Sequence, residues 1–184
     1  MNSGIKYCSI AFVAVFVTIG AACTAQKAPD ANTAQKQMPL THNMSNMSHS
    51  DEVNQRGDQV MGFDHAKTTH HFRLLSDGGA IEVEANDAND TASRDHIRQH
   101  LGHISEMFAD GNFDAPMLIH GREPDGVPTM QRLKAEIKYQ YEETDKGGRV
   151  RISSGNPEAV NAVREFLRFQ TNDHRTGDPT DVEK

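Results

Sequence analysis

The chain has 184 residues, 26 of them acidic against 19 Lys or Arg, a formal net charge of -7, ten histidines, two cysteines and no tryptophan. This acidic balance, with no long basic run, lacks the footprint that a phosphate backbone demands, so nucleic acid is not an expected partner. Two cysteines cannot build a disulfide scaffold, and both fall in the N-terminal stretch.

That stretch, MNSGIKYCSIAFVAVFVTIGAAC, has one cation, Lys6, then an apolar run from Ile10 to Ile19, then Gly20-Ala21-Ala22. The layout predicts a secretory signal over residues 1–22. The run is shorter than the roughly 20 apolar residues of a bilayer span. Cys8 leaves with the signal. Cys23 and the small residues before it resemble a bacterial lipobox, with Gly20 where a leucine is usual. Lipidation at Cys23 is therefore one expected route, and plain cleavage near Ala22 or Ala25 is the other. With a lipid, Thr24 resembles the sorting signal for the outer membrane. Plain cleavage gives a soluble secreted chain; both routes are expected to export it, with the periplasm the expected place, and membrane contact runs only through the anchor.

Residues 23–59 are rich in Ala, Gln, Asn, Ser and Thr and poor in branched or aromatic side chains. Such a segment buries too little apolar surface to offset its ordering entropy, so a disordered tether is predicted. The folded domain is predicted over residues 60–172. In HHFRLLSDGGAIEVEA, Phe72 and Leu74 alternate on one strand and Ile81 and Val83 on the next, around a Ser76-Asp77-Gly78-Gly79 turn. A helix follows, capped by Thr91 or Ser93. Its apolar stripe is Ile97, Leu101, Ile104 and Phe108, and it stops near Gly111. The proline-rich stretch after it holds one short predicted strand, Met117 to His120, and a surface loop from Pro124 to Pro128.

Strand, Gly-Gly turn, strand and helix then recur. Ile137, Tyr139 and Tyr141 alternate, as do Val150 and Ile152. Asn156 caps a helix with Pro157 in its first turn and a stripe of Val160, Val163, Phe166 and Leu167. The pattern predicts an α+β two-layer sandwich from a duplicated β-β-α unit. Its antiparallel sheet has four or five strands and two helices on one face. A tail over residues 173–184 is expected to fray.

Histidine is the one chemically loaded residue type. His96, His100, His103 and Met107 form a strip on the first long helix, one residue before each member of the apolar stripe. His96 and His103 are roughly 10 Å apart along the axis, too far to share one ion, so His100 pairs with one of them. A tight site needs three or more ligands, and His70, His71 and His120 are the candidates to complete it. His70 shares its parity with Phe72 and Leu74, which turns it toward the helices. The plain alternative is a helix rim of polar-tipped side chains.

In the tether, HNMSNMSH brackets Met44 and Met47 with His42 and His49. Thioether sulfur selects Cu(I), and imidazole accepts either copper state. The segment resembles the Met/His-rich stretches of bacterial periplasmic copper-resistance proteins. The segments MGFDHAKTTHHF and FLRFQTNDHRTGD resemble an uncharacterised group of small secreted, lipoprotein-like proteins of Gram-negative bacteria. That resemblance implies a single exported domain and carries over no catalytic residue.

No zinc-protease, Walker or nucleophile-elbow motif occurs, so catalysis is not the expectation. The expected function is a periplasmic, lipid-anchored metal-binding protein that buffers or passes on copper. The other expectation is an envelope protein-interaction module that uses the charged open face of the sheet or the proline-rich loop and binds no metal.

Overall fold

The structure, a computed structural model, describes residues 48–183. The signal, Cys23, His42, Met44 and Met47 lie outside those residues.

Two hairpins make the sheet. Strand β1 (Thr68–Leu75) pairs antiparallel with β2 (Gly78–Ala85), and β3 (Ile137–Glu143) with β4 (Gly147–Ser154). The inner strands join antiparallel, with Ile81 opposite Val150, so the order is β1-β2-β4-β3. Alternation sends Phe72, Leu74, Ile81, Val83, Val150 and Ile152 to one face, where all are buried. The other face carries charges that pair in a row. Arg73 bonds Glu82, Glu82 bonds Arg149, and Arg149 bonds Glu142, one residue from each strand.

The two long helices cover the apolar face. Helix α2 (Thr91–Ala109) buries Ile97, Leu101, Ile104 and Phe108, as its stripe requires. Its cap is Asp90, whose side chain accepts from the Ser93 amide, rather than Thr91 or Ser93. Helix α5 (Pro157–His174) begins at Asn156, whose side chain accepts from the Glu158 amide. Each helix crosses to the other hairpin: α2 packs mainly on β3 and β4, α5 on β1 and β2. Glycines make room for the crossing. A Cβ at Gly148 would lie 3.3 Å from Leu101 Cδ1 and 2.9 Å from Tyr141 Cε2, and one at Gly79 would overlap Leu167 Cδ1 and the Arg73 carbonyl oxygen.

The α+β class and the antiparallel sheet match the sequence pattern, while the expected pair of helices becomes five α-helices among the described residues. Helix α1 (His49–Met61) occupies the end of the expected tether. Ser48 and Asp51 form a reciprocal capping box, and Gly62 ends the helix at φ 77°. Val53, Gly57 and Met61 recur every four residues and are buried, chiefly toward α5 and the short helix over Asp114–His120.

Helix α3 (Asp114–His120) replaces the predicted strand at Met117 to His120. Burial of Ala115, Pro116, Ile119 and His120 follows a helical period, and Asn112 accepts from the Asp114 amide just before the first turn. Helix α4 (Val127–Arg132) lies in the expected loop, with Val127 and Met130 buried.

The tail is tied down rather than frayed. Asp178 accepts from the Phe72 amide at 2.9 Å, and the Glu183 amide donates to the Leu74 carbonyl at 2.8 Å. Arg168 also donates to the Thr180 carbonyl at 3.0 Å. The first two bonds occupy backbone groups on the outer edge of β1, which an edge strand otherwise leaves open.

Gly79→Ala is expected to destabilise the protein by at least about 1–3 kcal/mol, because the added methyl meets both a packed leucine and a backbone carbonyl. Gly155→Ala, with open space at its Cβ, is expected to stay within about 0.5 kcal/mol. Urea midpoints of the two variants check both.

Candidate functional site

Between the sheet and the helices lies a cavity of about 60 Å³. That is more than one water needs. Its wall is mostly apolar, with Phe72, Ile81, Val83, Ile104, Phe108, Ile119 and Phe166 among the lining residues. Into it converge four histidines from four elements, namely His70 of β1, His100 of α2, His120 of α3 and His174 of α5, together with Met61 of α1 and Gln170 of α5.

The rings form a connected set. His70 and His174 lie nearly parallel, with centroids 5.5 Å apart. His120 meets His174 edge-on at 5.0 Å. Phe63 packs against the other two, 6.0 Å from His70 and 5.7 Å from His100. The Nε2 atom of His70 is buried with no hydrogen-bond partner among the described residues.

His120 is the anchored member. Its Nδ1 meets the Asp173 carboxylate, and its Nε2 lies 2.8 Å from Gln170 Oε1, so a neutral ring protonated on Nδ1 is matched there once the Gln170 amide turns to present its N–H. Asp173 also takes His49 Nε2 at 3.0 Å and lies 3.7 Å from Arg122. Burial opposes ionisation of Asp173, but hydrogen bonds from His49 and His120 outweigh it and hold the carboxyl below its usual range. An ionised Asp173 fixes the His120 proton on Nδ1.

Burial also keeps the cavity imidazoles neutral. It pushes His70 and His100 down to about 4, with neighbouring histidines adding repulsion. It pushes His174 down to about 3, with His70 and His120 contributing and Asp173 opposing. His120 is lowered as well, because desolvation exceeds the pull of Asp173. Neutral imidazole is the form that ligates a metal or accepts a proton.

The other candidate histidines lie elsewhere. His96 and His103 are exposed on α2, His71 is on the opposite face of β1 bonded to Asp178 at 2.8 Å, and Met107 packs partly buried against the core. His49 caps the Asp173 network from the surface. The structure thus brings His100 together with His70 and His120, and does not bring it together with His96 or His103 in the cavity. His174 and Met61 were missed by sequence reasoning, which placed them in the tail and at the tether boundary. The signal for His174 was present: Val163, Phe166, Leu167, Gln170 and His174 continue one helical stripe.

One trio of donors, Asp58, Asp64 and His65, lies within 4.8 Å among the described residues. Its atoms already hold a turn together. Asp58 accepts from the His65 amide and ring, and Asp64 accepts from the Ala66 amide. The trio is accounted for by local structure and is no better a site than any acidic turn. The cavity donors do not form a ready-made trio at that spacing, so binding an ion there requires at least one ring to turn.

No helix among the described residues is long and apolar enough to cross a membrane. No protein-family model matches the chain, and comparison with curated proteins and with solved structures finds no match.

The cavity sets a pH dependence. His70, His100 and His174 take protons near 6.5 when unfolded but only near 3 to 4 when folded. Stability is therefore full above 6.5 and falls as the pH drops toward 4, because the unfolded chain binds more protons. Each group adds a slope approaching about 1.4 kcal/mol per pH unit. Urea midpoints measured from pH 6.5 down to about 5 should fall steeply, and His174→Leu should flatten that fall.

Proposed function

We propose that the protein is an exported copper-binding protein that holds its ion in the histidine cavity and buffers it or hands it on. Lipidation at Cys23 would keep it in the cell envelope, at the outer membrane. The observation that carries the reading is the gathering of four imidazoles and one thioether around a mostly apolar cavity, with His70 Nε2 unpartnered among the described residues.

A buried nitrogen without a partner costs free energy, and a metal ion is one species that recovers it. Thioether and imidazole together suit Cu(I), which tolerates few ligands and an apolar shell. The Asp173–His120 pair follows the carboxylate–histidine arrangement that orients a metal-bound ring. His70, His174, His100 and Met61 would hold the ion, with His120 as a further ligand if its Nε2 leaves Gln170. Cavity histidines with no nucleophile beside them favour storage over bond-breaking chemistry. The Met/His-rich run from His42 to His49 is a second, weaker donor set of the same softness.

Titration with Cu(I), Cu(II) and Zn(II) tests this. At about 100 times Kd, Cu(I) is expected to raise the stability by about 2.7 kcal/mol. His70→Ala and His174→Ala should abolish the rise, while His71→Ala should leave it intact. Copper binding that leaves the melting temperature unchanged, and survives both cavity substitutions, would place the metal outside the cavity. Absence of binding in the full chain would remove copper from the reading altogether.

A further inference from the structure

We infer that the chain dimerises through the free edge of β3, which pairs antiparallel with β3 of a second copy about Gln140. The inference is independent of the copper reading and goes beyond it.

The two edges of the sheet differ. The tail takes backbone groups of β1 at Phe72 and Leu74. On β3, among the described residues, no hydrogen bond reaches the backbone groups of Tyr139, Tyr141 or Glu143 that face away from the sheet. The strand pairs with β4 in unbroken register from Ile137 to Glu143, without a bulge or a proline. Bulges and prolines are devices that otherwise blunt an edge.

The hairpin fixes which groups face out. The Thr144 amide donates to the Gly147 carbonyl at 3.1 Å, which makes these two a hydrogen-bonded pair. Alternation then turns the backbone groups of Lys138, Gln140 and Glu142 toward β4, and those of Tyr139, Tyr141 and Glu143 outward. On the other side of β4, the Lys146 carbonyl accepts from the Ala85 amide, as the same alternation requires.

A two-fold axis at Gln140 matches these outward groups. It sets Tyr139 opposite Tyr141 of the second copy, where each pair exchanges both N–H···O bonds and the rings meet on the helix side. It sets Lys138 opposite Glu142 of the second copy at the closer, non-hydrogen-bonded positions of the outer face. By symmetry that match occurs at both ends. Lys138 is exposed and forms no ion pair among the described residues. Glu142 ends the alternating row that begins at Arg73, and Lys138 of the second copy supplies the next charge of the required sign. Opposite charges across strands stabilise and like charges destabilise. Slipping the pair by one two-residue step breaks the match, since Glu142 then meets Glu136 in one direction and Gln140 in the other. Charge thus selects a second copy, in one register. The product is a continuous eight-stranded sheet, four strands from each copy, with the helices of both on the same side.

Edge-to-edge interfaces are small, so a dissociation constant on the order of 10 μM is expected. Sedimentation equilibrium of the chain, with a metal chelator present, should show a concentration-dependent monomer–dimer equilibrium. Lys138→Glu and Glu142→Lys should each weaken it by about tenfold or more, because each sets like charges opposite one another at both ends. An equimolar mixture of the two variants should restore it, because the mixed pair has opposite charges at both ends. Melting of each variant confirms folding. A chain that stays monomeric up to about 0.5 mM overturns the inference. So does a dimer that neither variant weakens, and so does a mixture that fails to restore pairing.

Discussion

Two leucines resting over two glycines set the geometry on which everything else depends. Leu101 of α2 sits over Gly148 of β4, and Leu167 of α5 sits over Gly79 of β2. A side chain at either glycine would hold its helix off the sheet. With both seated, each helix lies across the hairpin it does not follow in sequence. The hairpins are thereby locked to each other through the helices as well as through the β2–β4 ladder. The layer between sheet and helices is closed over Val150 and Ile152, which are fully buried. Toward β1 it is left open enough for rings to gather.

Those rings are an unusual use of interior space. An apolar cavity would be cheaper to fill with leucine than with imidazole, since a buried polar atom must find a partner or lose free energy. Here one ring, His120, is fully partnered through Asp173 and Gln170, while His70 is not. The Asp173 carboxylate also reaches His49 on α1 and lies near Arg122. One buried acid thus links the cover helix, the α3 turn and the end of α5 around the cavity rim.

Much of the framework was legible in the sequence, because period-2 and period-3.6 patterns were strong where burial was one-sided. Phe72, Leu74, Ile81 and Val83 announced a hairpin, and Ile97, Leu101, Ile104 and Phe108 announced a helix. The parity of His70 with Phe72 pointed it toward the helices, where it lines the cavity. The short helices were harder. Helix α1 buries only Val53, Gly57 and Met61, so its hydrophobic signal is thin, and the capping box at Ser48 and Asp51 was its clearest mark. In α3 the run Met117-Leu118-Ile119 read as a strand, yet Met117 and Leu118 face out while Ile119 and His120 face in. The histidine strip of α2 split for a similar reason. It straddles the seam of the packing, so a modest rotation sends His100 inward and leaves His96 and His103 in solvent. Nothing local separates those three.

The charged row on the outer face of the sheet has an electrical consequence. Arg73, Glu82, Arg149 and Glu142 alternate in sign across four strands, so their fields cancel within a short distance. Seen from afar, that face is a multipole with almost no reach, despite its many charges. The row therefore cross-links all four strands through side chains while adding little net field to the outer face.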